Sequence, residues 1–326
     1  MGSVPGGRPS LPRLYILSEF HPQAVVHAQS LFDCVLHTSP EVNDWRKHAV
    51  AILVKDYSIT AEDLDAATQL RAVGKQGVGL ERIDVQACEK RGVKVFNTPG
   101  VNATAVAEMA LCLAFSVARD VPNIVMRQRV QGETIRKETV SGILLMGKTL
   151  GVIGMGNIGL EAARMFQGGL KMPVLAFDPY YPAESPAWDA VDHKRVHTLE
   201  ELLQHSDIVS VHVPLTASTK GFISYKQMKI MKPSAILLNT ARGGIVDEDD
   251  LTRALEERLI AGAGFDCHAQ EPPPKARYER LWACPGFVGT PHIAAATDAT
   301  QIATTNGAID QLYQFFTDGE VQKTRL

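Results

Sequence analysis

Short apolar runs alternate along this chain with segments of helical periodicity. Before residue 100, Leu14–Leu17, Cys34–His37, Ala51–Val54, Ala72–Lys75 and Lys94–Phe96 read as strands. Helical patterns near Gln23–Leu31, Ala61–Ala67 and Ile83–Lys90 separate them. The rhythm resumes at Thr149–Ile153 and runs through Val174–Phe177, Ile208–Val213, Ala235–Asn239, Gly262–Asp266 and Val288–Gly289, with helices at Leu199–His205 and Asp247–Glu257. Strands apolar on both faces, alternating with helices, predict parallel sheets covered on both sides. The expected fold is α/β, with two Rossmann-like or flavodoxin-like domains. A last helical pattern, Ile302–Phe316, is expected to pack back on the first domain. The predicted division is a discontinuous substrate domain, 1–102 with 295–326, around an inserted nucleotide domain, 103–294.

The stretch from Leu150 to Asp178 carries the most specific pattern. Gly154, Gly156 and Gly159 form G-x-G-x-x-G after an apolar strand, a helical pattern follows, and Asp178 closes the next apolar run. Each part suits a dinucleotide. The first glycine permits a tight turn, the second lets backbone approach a pyrophosphate, and the third packs helix on strand. The helix N-terminus offers N–H groups to phosphate, and the acid accepts from ribose hydroxyls. Asp178 favours NAD, because a 2′-phosphate would meet a negative charge and Tyr180–Tyr181 supply no arginine. The acidic cluster Asp247-Glu248-Asp249-Asp250 reads as the first turn of a helix offsetting its dipole, with no metal invoked.

Composition narrows the class. The 326 residues are 45% hydrophobic and 21% charged, with a net charge of −3, so no bulk attraction to nucleic acid or anionic membrane is expected. The five cysteines, Cys34, Cys88, Cys112, Cys267 and Cys284, are scattered without a C-x-x-C pair. They are expected to be reduced thiols, and neither a disulfide framework nor a metal site is predicted. The N-terminal MGSVPGGRPS lacks the apolar core of a signal peptide, so a cytoplasmic location is expected. Thr324-Arg325-Leu326 distantly echoes a peroxisomal ending and leaves that location as a minor alternative.

Three segments after the glycine loop hold candidate chemistry, each following an apolar run. Arg242, in Asn239-Thr240-Ala241-Arg242-Gly243-Gly244, can grip a carboxylate with a two-pronged hydrogen bond, and its glycines favour close backbone approach. Asp266 and Glu271 lie in the second segment and His292 in the third. Histidine titrates near neutral pH, and an adjacent carboxylate would hold its ring and raise its pKa. Singly each has a structural reading, as a surface arginine, a loop acid or a core histidine. Together, beside a nucleotide loop, they point to acid–base chemistry.

These motifs resemble the D-2-hydroxyacid dehydrogenases over nearly the whole length, closest in pattern to the D-3-phosphoglycerate dehydrogenase branch. The resemblance rests on Val73–Gly79 with Asp84, Asn97–Asn102, Ala107-Glu108, the glycine loop, His212-Val213-Pro214-Leu215, Asn239–Val246 and Thr290-Pro291-His292. It implies an oxidoreductase passing hydride between NAD and C2 of a small anionic 2-keto or 2-hydroxy acid. Arg242 would bind the carboxylate and keto oxygen, His292 would move the proton, and Glu271 would be its partner. The cofactor residues implied are Gly154, Gly156, Asn157, Ile158, Gly159, Asp178, Val213, Pro214, Thr219, Thr240, Ala241, Ala294 and Asp266, the last on the nicotinamide carboxamide.

Backbone N–H groups of Val78 and Gly79, with Asn102, would complete the carboxylate site. Lys55 and Lys75 stand where the branch commonly carries phosphate-binding arginines, and Arg136 is a possible contribution from a partner subunit. A homodimer through about 108–147, including the apolar Met109–Val121, follows from the resemblance. Inhibition through a serine-sensing domain is not expected, since the chain stops soon after its last helix. Two alternatives remain on the same scaffold: a glyoxylate/hydroxypyruvate or other 2-keto acid reductase, and an NAD-sensing corepressor resembling C-terminal binding protein.

Overall fold

Twelve strands form two separate parallel sheets in a computed structural model that describes residues 11–182 and 185–323, with side chains through Asp318. The MGSVPGGRPS segment and the Thr324-Arg325-Leu326 ending lie outside the described residues. The chain divides into two compact units, Met1–Asn102 with Ala296–Leu326, and Ala103–Ala295.

In the first unit the strands are β1 (Arg13–Ile16), β2 (Asp33–Val35), β3 (Ala51–Val54), β4 (Ala72–Lys75) and β5 (Lys94–Phe96), in the order β2-β1-β3-β4-β5. That is the flavodoxin-like order. The helix Asp298–Lys323 lies on this sheet through Ala308, Ile309, Leu312 and Phe316, which join Leu14, Ile16 and Leu53 in one core. Gly74 makes that approach possible, since a Cβ there would lie 2.7 Å from Leu312 Cδ1. Truncating a buried leucine such as Leu312 to alanine typically costs about 2–5 kcal/mol.

The second unit carries β6 (Leu150–Ile153), β7 (Val174–Phe177), β8 (His193–Arg195), β9 (Ile208–Val211), β10 (Ile236–Asn239), β11 (Gly262–Phe265) and β12 (Phe287–Gly289). Their order, β12-β11-β10-β9-β6-β7-β8, is that of a doubly wound nucleotide-binding sheet, reversing between β6 and β9. β6, β9, β10 and β11 are buried throughout, which is why they read as continuous apolar runs.

Three features depart from the sequence reading. β8, with the sequence HKR, is a half-exposed edge strand and has no apolar run to announce it. The short helices Tyr225–Lys229 and Lys275–Trp282 also gave no separate signal. The apolar Met109–Val121 is not one element: a helix Ala103–Ala118 ends, Asp120 takes a left-handed φ of 51°, and Val121–Arg129 continues at a 60° bend. Ala110, Leu113, Ala114 and Val117 of the first helix belong to the core of this unit. Among the described residues, no single helix is long and apolar enough to cross a membrane.

Candidate active site

The glycine loop leaves β6 at the point where the strand order reverses. Gly154 has φ +99°, and a Cβ there would stand 2.5 Å from the His212 carbonyl oxygen at the end of β9. A Cβ on Gly159 would overlap the Gly154 carbonyl, so this residue lets the helix Asn157–Leu170 press against the loop. Gly156, the N-cap, has open space around its missing side chain. Two glycines are thus needed by the protein's own packing. The third leaves room at a helix N-terminus, where backbone can meet a phosphate. Asn157 and Ile158 open that helix.

Asp178 follows β7 and braces the loop. Its Oδ2 accepts from the Met155 N–H at 2.9 Å, and its Oδ1 accepts from Tyr180 and Tyr181 N–H at 2.9 and 3.1 Å. The Met155 carbonyl accepts from Nε1 of the buried Trp188 at 2.7 Å. The sequence reading saw no arginine here, yet Arg195 of β8 donates to the carbonyls of Asp178 and Tyr181 at 2.6 Å each. Edge-strand pairing, Ala176 with Arg195, delivers it from seventeen residues away in the chain.

Across the switch point, His212 is half-buried with Nε2 2.8 Å from Ser210 Oγ, and desolvation pushes its pKa down to about 4, keeping the ring neutral. Val213 packs on the core, and Thr219 Oγ1 closes the following loop on the Pro214 carbonyl at 2.6 Å. Thr240 keeps a buried hydroxyl with no hydrogen-bond partner among the described residues, a polar atom left for a ligand.

The turn after β10 presents Arg242. Buried Asn239 accepts from Ala241 N–H and donates to the Arg242 carbonyl, fixing the turn from within, while Arg242 Nη1 donates to the Ala241 carbonyl at 2.7 Å. Gly243 makes the close backbone approach that its type favours, against the protein's own chain, since a Cβ would overlap the His268–Ala269 backbone.

That backbone belongs to the loop carrying Glu271. Glu271 Oε1 accepts from His268 N–H at 3.0 Å, and Oε2 lies 2.8 Å from His292 Nδ1. Burial alone would raise the Glu271 carboxyl, but the bonds from His292 and His268 outweigh it, and the pKa lies below its ordinary value. His292 moves the other way. The Glu271 hydrogen bond raises it, burial opposes, the charges of Glu271 and Asp266 add to the rise, and the Arg242 guanidinium is near enough to counter it. His292 also has a left-handed φ of 60° while its imidazole stays 41% exposed. A non-glycine residue held there is strained unless its surroundings enforce it.

Asp266 does the enforcing. It is 1% exposed; Oδ1 accepts from Thr290 Oγ1 at 2.7 Å and Ile293 N–H at 2.8 Å, and Oδ2 from Ala294 N–H at 2.8 Å. The resemblance assigned this acid to a nicotinamide carboxamide, and the Ala294 backbone to the cofactor. In this structure both oxygens also accept from the segment that turns His292 outward.

Glu248 likewise departs from the dipole reading of its cluster. Asp247 caps the helix Glu248–Glu256 as expected, but Glu248 is buried, accepting from Ala269 N–H and Tyr278 O–H at 2.7 and 2.9 Å. It anchors the Glu271 loop from behind, a role visible only once the helix and loop are in contact.

The remaining candidates except Arg136 lie in the first unit. Lys75 ends β4, and Lys55 follows β3, whose Val54 pairs with Lys75. Lys55 Nζ donates to the Glu19 carbonyl at 3.1 Å and Lys75 Nζ to the Gln76 carbonyl at 2.6 Å. The glycine turn beside them is held by Thr98 Oγ1 on Gly77 N–H and Asn97 Nδ2 on the Val78 carbonyl, which places the Val78–Gly79 backbone. Asn102 has a buried, unpartnered Oδ1. Arg136 is exposed in the other unit, at the start of a short 3-10 turn.

Residues 111–294 match the model of the D-isomer specific 2-hydroxyacid dehydrogenase NAD-binding domain. A hydroxypyruvate reductase of Thermotoga maritima is 36% identical over 270 residues, 82% of this chain and 83% of its own length. A D-3-phosphoglycerate dehydrogenase of Methanocaldococcus jannaschii is 34% identical over 84% of this chain, which spans only 51% of that relative. The solved structure of an NADPH-dependent glyoxylate/hydroxypyruvate reductase of Sinorhizobium meliloti, in complex with NADP and malonate, superposes with a TM-score of 0.79 at 28% identity. That likeness covers 94% of both chains. The site geometry and these likenesses agree: the chain belongs to the D-isomer-specific 2-hydroxyacid dehydrogenase family and carries its nicotinamide-dinucleotide-binding domain.

Proposed function

We propose that the protein interconverts an anionic 2-keto acid and its D-2-hydroxy acid with NAD as cofactor. The observation that carries the reading is the Glu271–His292 pair at 2.8 Å beside Arg242, on loops leaving the carboxyl ends of β10, β11 and β12. Bound dinucleotide supplies or takes the hydride at substrate C2. Arg242 holds the substrate carboxylate through its planar fork. The His292 Nδ1–H donates to Glu271, so Nε2 gives a proton to the carbonyl oxygen in reduction and takes it back in oxidation. Glu271 stabilises the imidazolium, and Asp266 keeps the ring in its left-handed position. His212, neutral and half-buried, adds no charge near the glycine loop.

Lys55 and Lys75, at the carboxyl ends of neighbouring strands, support a substrate with a second anionic group, as in the phosphoglycerate dehydrogenase branch. A glyoxylate or hydroxypyruvate reductase is the second reading, favoured by the backbone carbonyls that both ammonium groups already serve. A panel of keto acids with NADH and NADPH tests both. Preference for phosphohydroxypyruvate supports the first and preference for glyoxylate or hydroxypyruvate the second. Dinucleotide binding without turnover of any keto acid would instead favour the corepressor-like alternative.

We also propose a homodimer through the nucleotide-binding unit. Phe115, Val121, Val125, Met126, Val130, Leu144 and Met146 are all exposed within one stretch of it, a concentration of apolar surface typical of an interface.

A further inference from the structure

Asp178 can choose between dinucleotides only if its carboxylate stays where a ribose diol would meet it. Three contacts set its position. The carboxylate accepts from Met155, Tyr180 and Tyr181 N–H, which ties the glycine loop to the turn after β7. Trp188 fixes the other side of the Met155 peptide. The carbonyl side of the turn is held by Arg195, whose Nη2 donates to both Asp178 and Tyr181. One cationic nitrogen donating to two carbonyls of a four-residue turn is a charge-assisted clasp on that turn.

We infer that Arg195 is a specificity-determining positioning residue: it clamps the Asp178–Tyr181 turn and thereby favours the dinucleotide with a free 2′-hydroxyl over its 2′-phosphorylated form. The inference rests on the proposed dinucleotide site. It also answers a difficulty. An arginine beside this turn would ordinarily attract a 2′-phosphate, but here its Nη2 is directed to two carbonyls of the turn itself. Loosening the turn lets the carboxylate drift, which removes its bond to the ribose diol and relieves its repulsion of a phosphate.

Fluorescence titration of the full chain with NADH and with NADPH, without substrate, measures the effect directly. The wild type is expected to bind NADH more tightly. In Arg195→Met, which keeps the stem and removes the donors, NADH affinity should fall about tenfold, roughly the loss of one charge-assisted contact. NADPH affinity should fall less, so the Kd ratio of NADPH to NADH drops. Should that variant not fold, Arg195→Lys decides, since it keeps the charge on a single donor nitrogen at the end of a shorter, unbranched stem; a ratio lowered about threefold is expected. Equal weakening of both dinucleotides, no change, or a raised ratio in a folded variant overturns the inference, the last by showing that Arg195 reads the phosphate. A wild type that prefers NADPH overturns the inference and leaves the proposed chemistry standing. A wild type that binds neither overturns both.

Discussion

Glu271 Oε2 lies 2.8 Å from His292 Nδ1, and the two residues reach each other from different loops, each held by a buried acid. Glu248 holds the first loop and Asp266 the second. The dyad is therefore as rigid as two carboxylates behind it can make it.

A raised His292 pKa sets the pH behaviour. The imidazolium that reduction requires persists above the ordinary value near 6.5, so kcat/KM for keto acid reduction should stay flat through pH 6.5 and decline at higher pH. Oxidation should rise over the same window. The linkage to folding has the same sign: a folded pKa above the unfolded one gives stability that is complete below about pH 6.5 and is lost as pH rises through the folded value. His292→Ala should lower turnover by about 10²–10⁴-fold with NADH affinity nearly unchanged. A variant retaining a tenth of the wild-type rate would remove His292 from the acid–base role.

Glu271→Gln keeps the shape and removes the charge. Burial, which lowers His292, then loses its main opponent, so the declining limb of the reduction profile should move to lower pH. A pH–rate series on the variant reads this shift directly, and a limb that stays put would mean Glu271 does not set the histidine.

Asp266→Asn places an amide donor against N–H groups that need acceptors. A loss of about 1–3 kcal/mol is expected for one unsatisfied buried group, seen as a lower Tm. Turnover should fall with it, because His292 would leave its left-handed conformation. A stable variant of full activity would show that the loop orients itself.

Glu248→Ala strips the acceptor from Ala269 N–H and Tyr278 O–H in a buried setting and should cost about 2–4 kcal/mol across the two bonds. Thermal melts measure the cost. Dinucleotide titration should show little change, since the glycine loop and the turn after β7 are braced by other residues.

Met126→Asp, in the exposed apolar stretch, should shift sedimentation from dimer to monomer at micromolar concentration with the fold retained. A wild type already monomeric at that concentration would remove the dimer proposal.

Sequence periodicity was sufficient for the parallel sheets, because strands buried on both faces must be continuously apolar and the helices between them must be amphipathic. Spacing alone also placed Gly154, Gly156, Gly159 and Asp178, whose jobs are local to one strand–turn–helix–strand unit. Arg242, Glu271 and His292 were legible as residue types at strand ends, since ligands of such sheets gather there. What the sequence by itself could not decide was who holds these residues. Glu248, Asp266 and Arg195 act on partners 14 to 30 residues away through contacts that depend on neighbouring strands and on loops folded over them, and β8 was hidden because an exposed edge strand needs no apolar run. That Asp266 also holds the segment around His292, and that Gly243 makes its close approach to the loop carrying Glu271, only tertiary packing decided, because a left-handed histidine and a loop laid against another loop must be stabilised by the protein's own hydrogen bonds and close approaches.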